Sequence, residues 1–270
     1  MKNLPGIEKW SKLEHGKFEP YMSASKLNLF KNDLPMFICK YGYGKGSGGS
    51  PAMHRGLIVE DAVVRVLQKK MSVDESIEKA AARFGSLYLV PDEAVHKEFL
   101  NLDPMIRLSC EALADHGVPE FPENGKQEKV EFTMKDTINN WEIPFIGFLD
   151  LVFPETGKIV DLKTTTKMPS TQSFDHQLQR AIYQKAKGNF DVQFLYVTPK
   201  KYDWLADGNP DELLESARGI VNNMNSFCDN LTPEQARKSI PINDNYLNFY
   251  WKGENELKGF YRQEGTDGNS

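Results

Sequence analysis

The chain has 270 residues, of which 40% are hydrophobic and 26% are charged, a content sufficient for one large core with or without an appended lobe. No apolar run reaches the roughly 18 residues of a membrane-spanning helix, which argues against a membrane partner. Because the N-terminal sequence lacks the apolar stretch of a secretory signal, we expect a cytoplasmic protein. Cys39, Cys110 and Cys228 show no CxxC or zinc spacing, so we expect reduced and mostly buried thiols.

The net charge of −5 at first argues against a nucleic-acid partner, but it is unevenly distributed. Residues 158–201 contain eight lysines and arginines against three aspartates, which makes this stretch +5 and the remainder −10. A local basic face is compatible with a groove that binds a phosphate backbone. A solvated surface would have the same composition.

The first predicted segment is an N-terminal arm, residues 1–53, which ends in the glycine-rich loop 42–50. That loop is not a phosphate-binding P-loop, because Lys45 is followed by Gly46 rather than by serine or threonine. Residues 54–70 have the spacing of an amphipathic helix. Its predicted apolar face consists of Leu57, Val63, Val64 and Leu67.

Two or three further helices are predicted within an insertion at residues 73–117. The periodicity then changes to that of strands at 129–134, 141–153 and 158–164, with turn signals at 139–140 and 155–157. The second gap is short enough to require an antiparallel hairpin. Helical spacing returns at 174–187, and a strand (192–197) and a further helix (211–227) follow.

These elements predict a mixed α/β fold of the α+β kind. We interpret residues 1–270 as one domain with a catalytic core at 54–200. Residues 201–270 form a helical extension, and its tail after residue 253 is expected to fray.

Three charged residues stand out in the predicted hairpin. Asp150 interrupts the apolar sequence GFLDLV, while Asp161 and Lys163 are two positions apart on the next strand. Side chains alternate across a strand, so Asp161 and Lys163 share one face and Leu162 points into the core. Two carboxylates held close together repel unless a cation such as Mg²⁺ neutralises them. The plainer alternative is that Asp161 only forms an ion pair with Lys163.

Two further features favour a functional site over that alternative. Glu60 lies on the predicted apolar face of its helix, where glutamate is rare unless paired or metal-bound. Gly56, one turn earlier, would let another backbone pass closely. Gln179 and Tyr183 are four residues apart on a helix and present an amide and a hydroxyl on one face.

In this order, GxxxE (56–60), GFLD (147–150), DLK (161–163) and QRAIY (179–183) resemble the motifs of the PD-(D/E)XK nuclease superfamily. The chain is most similar to its RecB-like and lambda-exonuclease-like branch, in which QxxxY follows the DxK lysine. Residues 21–30, YMSASKLNLF, resemble the opening of RecB-like nuclease domains. The resemblance spans roughly residues 21–200 and implies the restriction-endonuclease-like core, with element order αβββαβ.

The resemblance also implies the roles of the site residues. Glu60, Asp150, Asp161 and the backbone carbonyl of Leu162 would hold one or two Mg²⁺ or Mn²⁺ ions. Lys163 would orient or deprotonate the attacking water and stabilise the transition state, while Gln179 and Tyr183 position these groups. Many RecB-like proteins carry a four-cysteine iron–sulfur cluster, but only Cys39 is suitably placed here, so we expect none.

DNA contacts are predicted for four residues, each with a plainer alternative. Ser25 would contact DNA or cap a helix, and His54 would approach the site or lie at a helix start. Arg180 would bind the backbone although it points away from the face of Gln179 and Tyr183. Lys167 lies in the basic stretch.

The predicted function is a metal-dependent DNA exonuclease that acts in recombination, repair or replication, with DNA ends and proteins of those pathways as partners. The small size of the chain is compatible, by analogy, with a phage origin and a location in the host cytoplasm. One alternative is a sequence- or structure-specific endonuclease. The others are a non-catalytic DNA-binding subunit with the nuclease fold, and an unrelated protein with chance matches.

Overall fold

The computed structural model describes residues 4–14, 18–121, 127–136, 141–242, 251 and 254–262. The predicted turn at 139–140 and the last part of the tail, residues 263–270, lie outside these ranges. The expectation that the tail frays after residue 253 is wrong for Asn255–Arg262, which form a helix. Within them, the helices α1–α11 span Pro5–Ser11, Ala24–Asn32, Leu34–Phe37, Pro51–Leu67, Val73–Ser86, Glu93–Leu100, Leu102–Leu113, Phe174–Ala186, Pro210–Asn230, Pro233–Ser239 and Asn255–Arg262. The strands β1–β6 span Glu128–Asp136, Trp141–Leu149, Leu151–Phe153, Lys158–Thr164, Asp191–Val197 and Tyr202–Leu205.

Contacts divide the chain into two compact units. The first unit comprises Met1–Ser50, Glu131–Ile146 and Asp211–Ser270, and the second comprises Pro51–Val130 and Gly147–Pro210. Both helices and strands are present, so the fold is mixed α+β, as predicted.

In the first unit, the N-terminal arm is helical. Helix α1 begins with the backbone N–H groups of Gly6 and Ile7 donating to Oδ1 of Asn225 in α9. A side chain at position 6 would collide with α9, because an added Cβ would lie 2.1 Å from the Asn225 carbonyl oxygen. Aromatic rings fill the space beside α1; they belong to Trp10, Phe18, Phe30, Phe37, Tyr41 and Phe227.

In the second unit, α4 to α7 pack on one another and on the sheet. Sequence signals set where these helices begin: Ser72 forms a capping box with Glu75 at α5, and Asp92 caps α6. Their apolar faces bury a common core with residues of β3, β4 and β5. Burial of this kind supplies the main favourable free energy of folding.

The sheet of the second unit has the strand order β3-β4-β5-β6. Strands β3 and β4 form the predicted antiparallel hairpin, in which Leu151 lies opposite Val160. The chain turns through Pro154–Thr156 and then Gly157, whose φ of 62° favours glycine. Strand β5 runs parallel to β4, with α8 as the connection. Strands β1 and β2 pair with each other separately.

Most predicted elements of the core are confirmed within a few residues, but three predictions need correction. The predicted strand 141–153 is broken at Asp150, between β2 and β3. Strand β6 was not predicted. The apolar face of α4 is only partly as predicted. Val63 is buried and Val64 and Leu67 pack against the core, but Leu57 is 59% exposed, and Ile58, Val59 and Ala62 are buried in addition. The helix packs against α5, α7 and β4.

All three cysteines are free; Cys39 and Cys228 are buried and Cys110 is half-buried. Burial raises the pKa of the Cys39 thiol to about 12 and that of Cys110 to about 11. Among the described residues, no helix is both long enough and apolar enough to cross a membrane.

Candidate active site

The four charged residues singled out in the sequence all belong to the second unit. Asp150 lies in the break between β2 and β3, and Asp161 and Lys163 lie on β4, which pairs with β3. Glu60 is on α4. The helix is held against the end of β4 by Arg55, which is buried, pairs with Glu98 and donates to the Thr164 carbonyl oxygen over 3.1 Å.

Gly56 is the other feature that permits this approach of α4 to β4. A Cβ added at position 56 would lie 3.3 Å from Oγ1 of Thr164. The sequence predicted close passage of another backbone; the neighbour is instead a side-chain hydroxyl.

Strand alternation acts on β4 as predicted. The Lys163 ammonium nitrogen lies 2.5 Å from Oδ1 of Asp161, whose side chain is buried, whereas the lysine side chain is 25% exposed. Leu162, between them, is buried in the apolar core. The ion pair that the plainer alternative requires is therefore present. The other contacts of Asp161 distinguish an isolated ion pair from a functional site.

A second group of contacts joins Asp161 to helix α8. Nε2 of Gln179 donates to Oδ2 of Asp161 over 2.9 Å and to the Tyr183 hydroxyl over 2.8 Å. The Tyr183 hydroxyl in turn donates to the carbonyl oxygen of Phe148 over 2.7 Å. Gly147 makes room for this tyrosine, because an added Cβ would lie 2.6 Å from Cε1 of its ring. The predicted Gln179–Tyr183 pair is thus formed, and it contacts Asp161.

Gln127, immediately before β1, connects the remaining two carboxylates, and the sequence did not identify it. Its Nε2 donates to Oε1 of Glu60 over 2.9 Å and to Oδ1 of Asp150 over 2.6 Å. Oδ2 of Asp150 accepts from the backbone N–H of Leu162 over 3.3 Å. A single glutamine outside any periodic pattern carries no signal that could have indicated this position.

His176, one turn before Gln179, is another neighbour that the sequence did not identify. Its Nδ1 lies 2.6 Å from the Tyr196 hydroxyl, and its ring stacks on Phe194. The Lys163 ammonium lies 5.3 Å from the centre of that same Phe194 ring. Burial lowers the pKa of His176, and the Lys163 charge lowers it further.

The charges of the site are unbalanced, since three carboxylates accompany one ammonium. Burial raises the pKa of Asp150 well above its usual range, and the neighbouring Asp161 and Glu60 carboxylates raise it further. Burial also raises the pKa of Glu60, and the Asp161 carboxylate raises it further. For Lys163, burial opposes the charged form, but Asp161 and the other carboxylates together raise its pKa. A positive charge added here would stabilise all three carboxylates in their ionised forms.

The donor set fits a hard divalent cation, because carboxylate oxygens are the ligands that Mg²⁺ and Mn²⁺ prefer. Both carboxylate oxygens bonded to Gln127 share one nitrogen, so they are no further apart than the sum of 2.9 and 2.6 Å. In the part of the chain that the structure describes, no three His, Cys, Asp or Glu side chains are already arranged around one metal position. Ligation would therefore require these side chains to adjust.

Of the residues predicted to bind DNA, His54 and Arg180 make other side-chain contacts, whereas Ser25 and Lys167 are exposed. Ser25 lies in the first unit, and the prediction that it caps a helix is wrong, because Ser23 is the N-cap of α2 and Ser25 is an exposed residue of its first turn. Nδ1 of His54, on the first turn of α4, lies 2.7 Å from the Tyr88 hydroxyl. Arg180 donates to the carbonyl oxygens of Val192, Asp207 and Gly208. Lys167 is exposed after β4.

Comparison with known proteins adds little to this geometry. No protein-family model matches the chain, and no curated protein matches it. Among solved structures, the crystal structure of SSO0001 aligns with 80% of this chain and 83% of its own, at 12% sequence identity and a TM-score of 0.38. A similarity at this level carries no argument about fold or function.

Proposed function

We propose that the chain is a Mg²⁺- or Mn²⁺-dependent deoxyribonuclease with a PD-(D/E)XK core, which hydrolyses phosphodiester bonds. The observation that carries the proposal is the continuous network from Glu60 through Gln127 to Asp150, and from Asp150 through the β4 backbone to Asp161 and Lys163. These residues are distant in the chain and belong to different elements. The order of elements also supports it: α4 is followed, after α5 to α7, by the strands β1 to β4 and then by α8 and β5, with four strands where the αβββαβ order has three.

Two features distinguish this network from a plain ion pair. An ion pair needs one carboxylate for one ammonium, whereas here two more carboxylates, one of them buried, lie within hydrogen-bonding reach of the same network. Burying carboxylates without counter-charges is costly, and a site that binds a cation recovers that cost on binding. Lys163 remains a quarter exposed, so its ammonium can reach a substrate.

Each residue has a distinct role in the proposed reaction. Glu60, Asp150, Asp161 and the Leu162 carbonyl would hold the cation. A divalent cation at this position supplies neutralisation of the phosphate charge and a lower pKa for a bound water. The Lys163 ammonium would orient the attacking water and offset the charge that develops on the phosphate oxygens. Gln179 and Tyr183 are positioning residues, because their contacts hold Asp161 and the backbone at Phe148.

Exonuclease activity is preferred over endonuclease activity because of the QxxxY pair on α8, a preference that rests on the resemblance of the motifs. Its setting in recombination, repair or replication rests on the same analogy.

The proposal is tested with the purified chain and end-labelled linear single- and double-stranded DNA, beside covalently closed circular DNA. We expect linear DNA to be degraded in Mg²⁺ or Mn²⁺, no degradation in EDTA, and recovery when the cation is restored. Closed circular DNA should resist. Full activity in the chelator, or no cleavage of any DNA with either cation, contradicts the proposal.

A further inference from the structure

The side-chain amide of Gln127 occupies the position between two of the carboxylates that are proposed to bind the cation. The nitrogen of this amide contacts carboxylates from two different elements, Glu60 on α4 and Asp150 at the end of β2. The N–H₂ end of the amide faces both carboxylates, whose oxygens accept its hydrogen bonds. Its two protons place partial positive charge between two oxygens that otherwise repel each other.

An amide and a divalent cation cannot use these oxygens in the same way at the same time. The amide nitrogen holds its oxygens at 2.9 and 2.6 Å, whereas Mg²⁺ draws its ligands to about 2.1 Å. The amide also carries no net charge, so it satisfies the lone pairs of the carboxylates without neutralising them. A cation entering the site would thus take over the oxygens that Gln127 occupies.

We propose that Gln127 is a placeholder for the cation: its amide holds Glu60 and Asp150 together in the metal-free protein and is displaced when a divalent cation binds. This inference rests on the proposed metal site. It assigns a role to a residue outside the four motifs, and that role is one of positioning, since Gln127 acts through the two carboxylates.

The placeholder role fixes the sign of the effect of a substitution. If the two hydrogen bonds exist only in the metal-free state, their loss destabilises that state and leaves the metal-bound state unchanged. By linkage, the stability that is lost without metal reappears as tighter metal binding. If Gln127 were purely structural, its substitution would lower stability in both the metal-free and the metal-bound state and would leave the metal affinity unchanged.

The experiment compares wild type with Gln127→Met, which keeps the length of the side chain but has no amide. The matched control is Gln177→Met, since Gln177 on α8 makes a comparable bond, from Nε2 to the Gln172 carbonyl oxygen over 2.7 Å. The midpoint of thermal unfolding is measured in EDTA and in saturating Mn²⁺, and the affinity for Mn²⁺ is measured by calorimetry. Neither readout depends on nuclease activity.

We expect Q127M to unfold at a lower temperature than wild type in EDTA and at the same temperature in saturating Mn²⁺. Its affinity for Mn²⁺ should be roughly 100-fold higher or more, in line with the loss of two hydrogen bonds to charged groups. The control should unfold at a lower temperature under both conditions, with the affinity of wild type.

An affinity of Q127M equal to or weaker than that of wild type overturns the placeholder and leaves the proposed metal site intact. Failure of the wild-type protein to bind Mn²⁺ overturns both. If Q127M does not fold even with Mn²⁺, Gln127→Asn decides in the same measurements, because its amide is too short to keep both contacts. The same tighter binding is then expected, and unchanged binding refutes the placeholder.

Discussion

The ammonium of Lys163 lies 2.5 Å from the carboxylate of Asp161, two residues earlier on the same strand, at the middle of the hydrogen-bonded network. Because both residues face the same side of β4, the lysine is held beside the carboxylates rather than in free solvent. The catalytic proposal depends on this relationship.

The first prediction concerns these two residues. Lys163→Met and Asp161→Asn, which preserve side-chain size, should each reduce cleavage of linear DNA in Mg²⁺ by about 100-fold or more. The physical reason is that one removes the positive charge at the phosphate and the other removes a cation ligand. Initial rates measure the effect, while circular dichroism checks that the fold is retained.

The control for this prediction is Lys158→Met, at the first residue of the same strand. It changes the same residue type on β4 away from the network, so cleavage should proceed at close to the wild-type rate. Cleavage at that rate by K163M or D161N would remove the proposed roles of Lys163 and Asp161.

The second prediction concerns the fit between β2 and α8. Gly147→Ala would place a Cβ 2.6 Å from Cε1 of Tyr183 and 3.3 Å from a methyl group of Val130. The ring must move and lose its bond to the Phe148 carbonyl, so we expect a loss of about 1–3 kcal/mol in the free energy of unfolding, together with lower activity. Urea denaturation measures the free energy of unfolding, and the initial rate of cleavage of linear DNA measures the activity.

Gly219→Ala serves as its comparison, because nothing lies within 4 Å of a Cβ added there, in the middle of α9. Alanine favours a helix over glycine by about 1 kcal/mol, so this variant should be as stable as wild type or more so. Equal stability of G147A and wild type would show that Tyr183 does not require the glycine.

The third prediction separates two basic residues that the sequence placed together as DNA contacts. Arg180 donates to three backbone carbonyl oxygens, so Arg180→Ala should lower stability by about 2 kcal/mol and leave DNA affinity unchanged. Lys167 is exposed, so Lys167→Ala should weaken binding without a loss of stability. It should also reduce the slope of log affinity against log salt by about 1.

Fluorescence anisotropy over a series of salt concentrations, with EDTA present to prevent cleavage, measures both variants. If R180A is as stable as wild type but its DNA affinity depends differently on salt concentration, Arg180 does contact DNA. An unaltered slope for K167A would exclude Lys167 from them.

The fourth prediction is a pH dependence of stability in the first unit. The Lys26 side chain is 3% exposed, and its Nζ donates to the carbonyl oxygens of Glu19 and Tyr21 over 2.7 and 2.6 Å. Burial lowers the pKa of Lys26 from 10.5 to about 7. The folded protein therefore releases this proton at a pH where the unfolded chain still holds it, and stability rises with pH between about 7 and 10.5.

Lys26→Met tests this sign. Below pH 7 both states of wild type carry the proton, so the cost of burying the ammonium is fully present, on the order of 5 kcal/mol. The variant should accordingly be the more stable protein at pH 6, and its advantage should shrink steadily towards pH 10. Urea denaturation at several pH values measures the difference; a constant or growing advantage contradicts the lowered pKa.

The elements of the core could be predicted from sequence because each has a local cause. The turn at Gly157 follows from its left-handed conformation, and the pairing of Gln179 with Tyr183 follows from helical spacing. Such relationships lie within one element or across one tight turn, so the periodicity of the chain is sufficient to predict them. Helix α1 was not predicted, because its Trp10 packs against Phe227, which comes from a distant segment of the chain.

The exposure of Leu57 on α4 could not be predicted for a related reason. Apolar residues cover more than one side of that helix, and only contact with α5, α7 and β4 decides that Ile58, Val59 and Ala62 are buried and Leu57 is not. Ser23 and Ser25 present the same ambiguity at the start of α2, where both are capable of capping and the path of the preceding chain selects Ser23.

The amino-acid sequence by itself determined the alternation that sets Asp161 beside Lys163 and the helical repeat that sets Gln179 beside Tyr183, because those geometries depend only on neighbouring backbone. The tertiary structure alone decided that Glu60 and Asp150 meet, and that the amide of Gln127 lies between them. These three residues come from separate segments, and their approach depends on the packing of whole elements, which no local pattern encodes.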